Sequence, residues 1–138
     1  MHSLLGPVIA LVLWSLLMCA WLYATRIPAM KRQHVVYDPQ RPAEHFHAQL
    51  PAEARWKADN YNNLMEQPTL FYAIALTLAV AGAGSDLNIS LAWLYVVLRV
   101  AHSLVQATIN VVLLRFALFM AATIVLAAMT ISAALRIF

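Results

Sequence analysis

From Leu87 to Phe138 the chain runs for 52 residues without a glycine or a proline, and most of those residues are apolar. As one straight helix this stretch would be about 78 Å long, far more than the roughly 30 Å of a bilayer's hydrocarbon core. It must therefore fold back on itself. Asn110 and Arg115 mark the bend, which predicts helices over about 88–110 and 113–137. The rest of the chain fits the same reading, since 63% of all residues are hydrophobic and only 11% are charged. A soluble domain carries about a quarter of its residues charged, so an integral, multi-pass membrane protein is expected.

A first span is expected over about 3–26, in "SLLGPVIALVLWSLLMCAWLYAT". No Lys or Arg precedes it and no small-residue cleavage site follows, so it reads as a retained helix and not a secretory signal. The composition then changes. Residues 27–55 hold four of the six prolines, three histidines (His34, His45, His47) and several charges. Proline has no amide donor, so this segment is expected to be a polar loop outside the hydrocarbon. A second span is expected over about 56–82, ending at the turn "GAGSDLN". The fold class that follows is all-α: one unit, residues 1–138, built as a four-transmembrane-helix bundle. The single cysteine, Cys19, lies in an apolar run and reads as packing.

Arg26, Lys31, Arg32, Arg41, Arg55 and Lys57 cluster in or beside the first loop and Arg115 at the third, whereas the other side has only Arg136. The positive-inside rule puts loops one and three in the cytoplasm. The net charge of +3 accordingly reads as topology and attraction to membrane lipid, and no nucleic-acid partner is expected.

Two polar stripes stand out against the apolar background. Asp59, Asn63 and Glu66, spaced by four and three, share one face of the second helix. Tyr95, Arg99, His102, Gln106 and Asn110 form another on the third. Ionisable groups are expensive at membrane depth unless they face protein or a wet cavity. The stripes are therefore expected to meet, with Glu66 pairing with Arg99 or taking a proton from His102. Pro68, which withholds a donor from the carbonyl of Leu64, should disturb the helix there. Such a network serves either bundle stability or the binding of an anionic ligand.

At these residues the chain resembles a family. "N-L-M-E-Q-P-T-L-F" from Asn63 and "Y-V-V-L-R-V-A-H" from Tyr95 resemble the membrane-associated proteins in eicosanoid and glutathione metabolism (MAPEG), as do the length, the four-span plan and the long first loop. The resemblance is to a bacterial-type member, in the bacterial inner (plasma) membrane. It implies a homotrimer that holds glutathione, or a similar anionic thiol, between subunits near the cytoplasmic side. It also implies transferase or peroxidase-like action on lipophilic small molecules. Carried over by position, the binding residues are Arg26, Asn63, Glu66, Tyr95, Arg99 and His102. The catalytic residue is Arg115, which would stabilise the thiolate. The chain also departs from the pattern: Asp59 stands where glutathione-using members have an arginine, His102 where they have an aromatic hydroxyl, and Leu113 near their thiolate-stabilising arginine.

Two other classes fit the composition: a noncatalytic ligand-binding or scaffolding member of the same family, and a small proton-coupled multidrug exporter using Glu66. Exporters of that size carry their acid in the first span, where this chain has none. The pair His45 and His47 lies in a proline-rich loop without preset geometry, so no metal site is assigned.

Overall fold

The longest helix, α1, runs from His2 to Arg32, a turn and a half beyond the expected end of the first span. In the computed structural model, which describes residues 2–138, α1 is followed by α2 (Ala43–Ala48), α3 (Ala52–Leu64), α4 (Pro68–Val80), α5 (Asp86–Thr108) and α6 (Val112–Ile137). No strand occurs among the described residues. The helices α1, α5 and α6 are each long and apolar enough to cross a membrane.

The expected loop over 27–55 needs correction at both ends. Pro28 lies inside α1, where it removes one hydrogen bond. Tertiary packing compensates, because Ala29 is buried against Leu50 and Ala54 in a small core of its own. The helix then closes at His34, whose positive φ of 49° lets the Val35 amide reach back to the Met30 carbonyl at 3.2 Å. Within the former loop, α2 is tied down by His47, whose Nε2 lies 3.2 Å from the Asp59 carboxylate on α3. Asp59 thus holds the loop helix in place.

The continuous second span expected over 56–82 is two 13-residue helices, α3 and α4, separated by residues 65–67. Pro68 is the first residue of α4, the position where its missing donor costs nothing. Upstream, α3 ends in a tightened turn: the amides of Met65 and Glu66 donate to the carbonyls of Asn62 and Asn63, three residues back, at 3.0 and 3.2 Å. The predicted disturbance is therefore a full break.

The other two turns follow the sequence reading. After α4, Gly82 adopts φ 66°, and the amides of Ala83 and Gly82 donate to Leu78 (2.9 Å) and Ala79 (3.2 Å). This crossed pair is a Schellman closure, which needs the left-handed residue. After α5, Asn110 takes φ 48°, and its side-chain oxygen accepts from Arg115 Nη1. Both residues of the expected bend therefore build it.

The main core lies between α1, α3, α4, α5 and α6, and Leu11, Phe71, Leu78, Tyr95, Ala122 and Met129 are among its fully enclosed members. Trp14 Nε1 on α1 donates across it to Ser103 Oγ on α5 at 3.0 Å. Such bonds are worth about 0.6 kcal/mol on average in membrane bundles. Trp14→Phe, which keeps the aromatic body, should lower unfolding stability in detergent by about that amount. A loss several times larger would mean that Trp14 acts through packing.

Candidate functional site

The packing of α3 against α5 brings the two polar stripes together. Arg99 lies on α5 nine residues before its end, which is about 13 Å along the axis. It is 0% exposed. Its Nη2 donates to Asn63 Oδ1 at 2.5 Å and to the Asn63 backbone carbonyl at 3.4 Å. The expectation that the stripes meet is met by Asn63; the expected pairing with Glu66 is not. Glu66 is exposed, and no ion pair joins it to Arg99 among the described residues. The reason is the break itself, since Glu66 lies beyond the last turn of α3 and no longer follows that helix's face.

Nε and Nη1 of Arg99 have no hydrogen-bond partner. A buried guanidinium carries five donors and cannot shed its charge, so leaving two nitrogens unpaired is costly. Beside Arg99 a hollow of about 270 Å³ is lined by Asn63, His102, Val112, Arg115, Phe116 and Phe119. The Phe119 ring lies 5.9 Å from the Arg99 guanidinium carbon and 6.2 Å from the His102 ring. His102 Nδ1 and Arg115 Nε are also without partners. The hollow thus combines the Arg115 guanidinium, the His102 imidazole and the Asn63 carboxamide with an aromatic wall and has no carboxylate in its lining, while the Arg99 guanidinium lies behind Asn63 and Phe119. Its chemistry suits an anion with an apolar portion.

The α6 wall follows from spacing. Val112, Arg115, Phe116 and Phe119 fall at intervals of three, one and three, a single helical face. Leu113, near the arginine position that the resemblance implies, is 77% exposed and does not line the hollow. The turn at Asn110 gives Arg115 the inward place, held by its hydrogen bond to the Asn110 side chain.

Besides Glu66, two more of the residues carried over from the resemblance lie outside this hollow. Tyr95 is enclosed in the core, its ring stacked on Phe71 at 4.4 Å between centroids and its hydroxyl donating to Gln67 Oε1 at 3.1 Å. Its hydroxyl is thus spent on Gln67, whose Nε2 continues the chain to Thr123 Oγ1 at 2.8 Å. Arg26 lines a separate hollow with Tyr37, Phe46, His47, Asp59 and Asn62, its guanidinium 5.0 Å from the centre of the Phe46 ring. Arg26 is not among the residues lining the Arg99 hollow within one chain.

Sequence reading missed Phe119 and Gln67. Phe119 was detectable as the fourth residue after Arg115, on the same face. Gln67 had no periodic signal, because it sits in the break and its bonding depends on the new direction of α4.

Compared with known proteins, the chain gives one match: the model of the MAPEG family aligns with residues 4–135. No curated protein matches it, nor does any solved structure. The match covers nearly the whole length, and the chain belongs to the MAPEG family.

Proposed function

We propose that the protein is a membrane-bound, glutathione-dependent transferase or peroxidase-like enzyme acting on lipophilic electrophiles, assembled as a homotrimer. Family membership makes it a membrane protein of the glutathione and eicosanoid metabolism kind. The observation that carries the finer reading is Arg99, a fully buried guanidinium with two unpaired nitrogens beside a cationic, aromatic-walled hollow.

The unpaired donors of Arg99 fit a carboxylate of the tripeptide. A hollow of about 270 Å³ is below the roughly 300–1,000 Å³ of typical ligand pockets, which supports a site completed by a second subunit. In that arrangement Arg26 of one chain serves the Arg99 hollow of its neighbour. The pair α3–α4 forms a fourth crossing, and the ends bearing Arg26 and Arg115 face the cytoplasm.

Glutathione, when bound, would supply a thiol whose thiolate forms a C–S bond at the electrophilic carbon, either as that carbon's leaving group departs with its electron pair or as the π electrons of an activated double bond shift away and are protonated by water. The work of this chain is to hold and ionise it. Arg99 and Asn63 fix the anionic backbone, His102 offers a hydrogen bond, and Glu66, exposed at the break, is available to a ligand ammonium. Arg115 stabilises the thiolate, whose proton passes to water. Val112, Phe116 and Phe119 present an apolar wall through which a substrate dissolved in the bilayer reaches the sulfur.

Calorimetric titration of the purified oligomer with glutathione tests this reading. Saturable binding is expected, and Asn63→Ala should weaken it by about tenfold, the loss of one hydrogen-bonded anchor on a charged group. Binding without conjugate formation would make the protein a noncatalytic ligand-binding member; no saturable binding would remove the glutathione site.

A further inference from the structure

The opposite end of the bundle holds a second polar hollow, of about 340 Å³, lined by Gly82, Gly84, Ser85, Asn88, Ser132 and Arg136. Since α6 runs from Val112 to Ile137, Arg136 stands a full helix length from Arg115. Asn88 is 3% exposed, and its Nδ2 donates to the Ala83 carbonyl at 2.9 Å. A carbonyl only accepts, so this bond sets the orientation of the amide. Its Oδ1 is left as a buried acceptor without a donor. Such an atom calls for a ligand N–H or O–H.

Next to this hollow lies an apolar groove of about 380 Å³ between α4 and α6, formed by Leu76, Thr77, Val80, Ala81 and Ile137. The hydroxyl of Thr77 is already spent on the Ala73 carbonyl at 2.8 Å, so it adds no open polar group. Val80 is 90% exposed. The two cavities are lined by consecutive residues, Ala81 and Gly82 just after α4 and Arg136 and Ile137 at the end of α6. A buried acceptor, a cation and an apolar trough in series describe an amphiphile with three parts: a donor, an anion and a chain.

We propose that this end of the molecule is a binding site for a phospholipid with a primary-amine head group. The ammonium donates to Asn88 Oδ1, and the phosphate takes the Arg136 guanidinium. The Ser85 and Ser132 hydroxyls donate to remaining phosphate oxygens, and an acyl chain occupies the Val80 groove. A choline head group carries no N–H, so it leaves the Asn88 oxygen unpaired. Free phosphate supplies neither the donor nor the chain. The site is independent of the glutathione reading and shares no residue with it.

Native mass spectrometry of the detergent-purified protein tests the site, using an equimolar mixture of phosphatidylethanolamine and phosphatidylcholine with identical acyl chains. The ethanolamine lipid should be retained about tenfold over the choline lipid, the value of one hydrogen bond to a charged donor. Arg136→Gln should cut that retention about tenfold, and Val80→Trp, which fills the groove, should do the same. Thermal unfolding of both variants should match the parent, because both positions are exposed. Equal retention of the two lipids, or retention untouched by both variants, would overturn the proposal. Glycerophosphoethanolamine, which has the head group and no chains, is expected to compete poorly; competition as strong as the lipid's would overturn the bilayer as the source.

Discussion

Replacing Arg99 with methionine should leave the ligand-free protein about as stable as before while weakening glutathione binding roughly a hundredfold. The two outcomes have separate causes. In the free protein Arg99 is enclosed with Nε and Nη1 unpaired, and exchanging a buried charged group for an apolar one of similar volume is often neutral or stabilising by about 1–4 kcal/mol. Against this stands the lost bond to Asn63, which leaves an acceptor unpaired at a cost of about 1–3 kcal/mol. The terms nearly cancel. Binding has no such compensation, because two charge-assisted hydrogen bonds to a ligand carboxylate together contribute about 3 kcal/mol, which is roughly a hundredfold in affinity. Chemical unfolding and calorimetry on the same preparation decide the matter. A structural role for Arg99 predicts the reverse pattern, with stability down by about 3–5 kcal/mol and any glutathione affinity intact in the folded fraction.

Arg115→Ala should retain the assembled protein and its glutathione affinity to within a few fold, yet lose at least about nine-tenths of the thiolate absorbance at neutral pH. A cysteinyl thiol ionises near pH 8.5 in water, and a nearby cation is what brings ionisation into the neutral range. The sign follows directly. If Arg115 plays the proposed part, the bound thiol should be an acid stronger than free glutathione, and the thiolate should persist as the pH falls towards neutrality. Without Arg115 it should appear only as the pH rises past about 8.5. Ultraviolet difference spectra across that range provide the measurement. A thiolate signal that does not move would exclude Arg115 and redirect attention to Arg99. Arg115→Lys, which keeps the charge but not the hydrogen bond to Asn110, should recover part of the signal.

Much of the site was readable along the chain. The four-and-three spacing from Asp59 through Asn63 to Glu66 and the matching stripe from Tyr95 to Asn110 identified the two surfaces that carry polar chemistry, and Asn63 with Arg99 realises their contact. The same periodicity misplaced Glu66. Helical spacing predicts a shared face only while the helix lasts, and α3 ends at Leu64. Tyr95 shares the stripe of Arg99, yet Phe71 on α4 and Gln67 in the break enclose it away from the hollow. Leu113 and Arg115 illustrate the opposite case, in which two residues close in sequence part company: Leu113 is exposed, while Arg115, bonded to Asn110, lines the hollow.

What the sequence alone determined is the membrane setting, the all-helical class, the bends at Gly82 and Asn110, and the disturbance at Pro68, because apolar run length, proline's missing donor and left-handed turn residues act locally. Which polar side chains share a cavity was decided only in three dimensions. Arg99 meets Asn63 in place of Glu66, and the Asn88 oxygen is left unpaired beside an apolar groove. These outcomes depend on the angle at which α4 leaves α3 and on how α6 packs back over α5, and those angles are set by the fit of side chains distant in sequence.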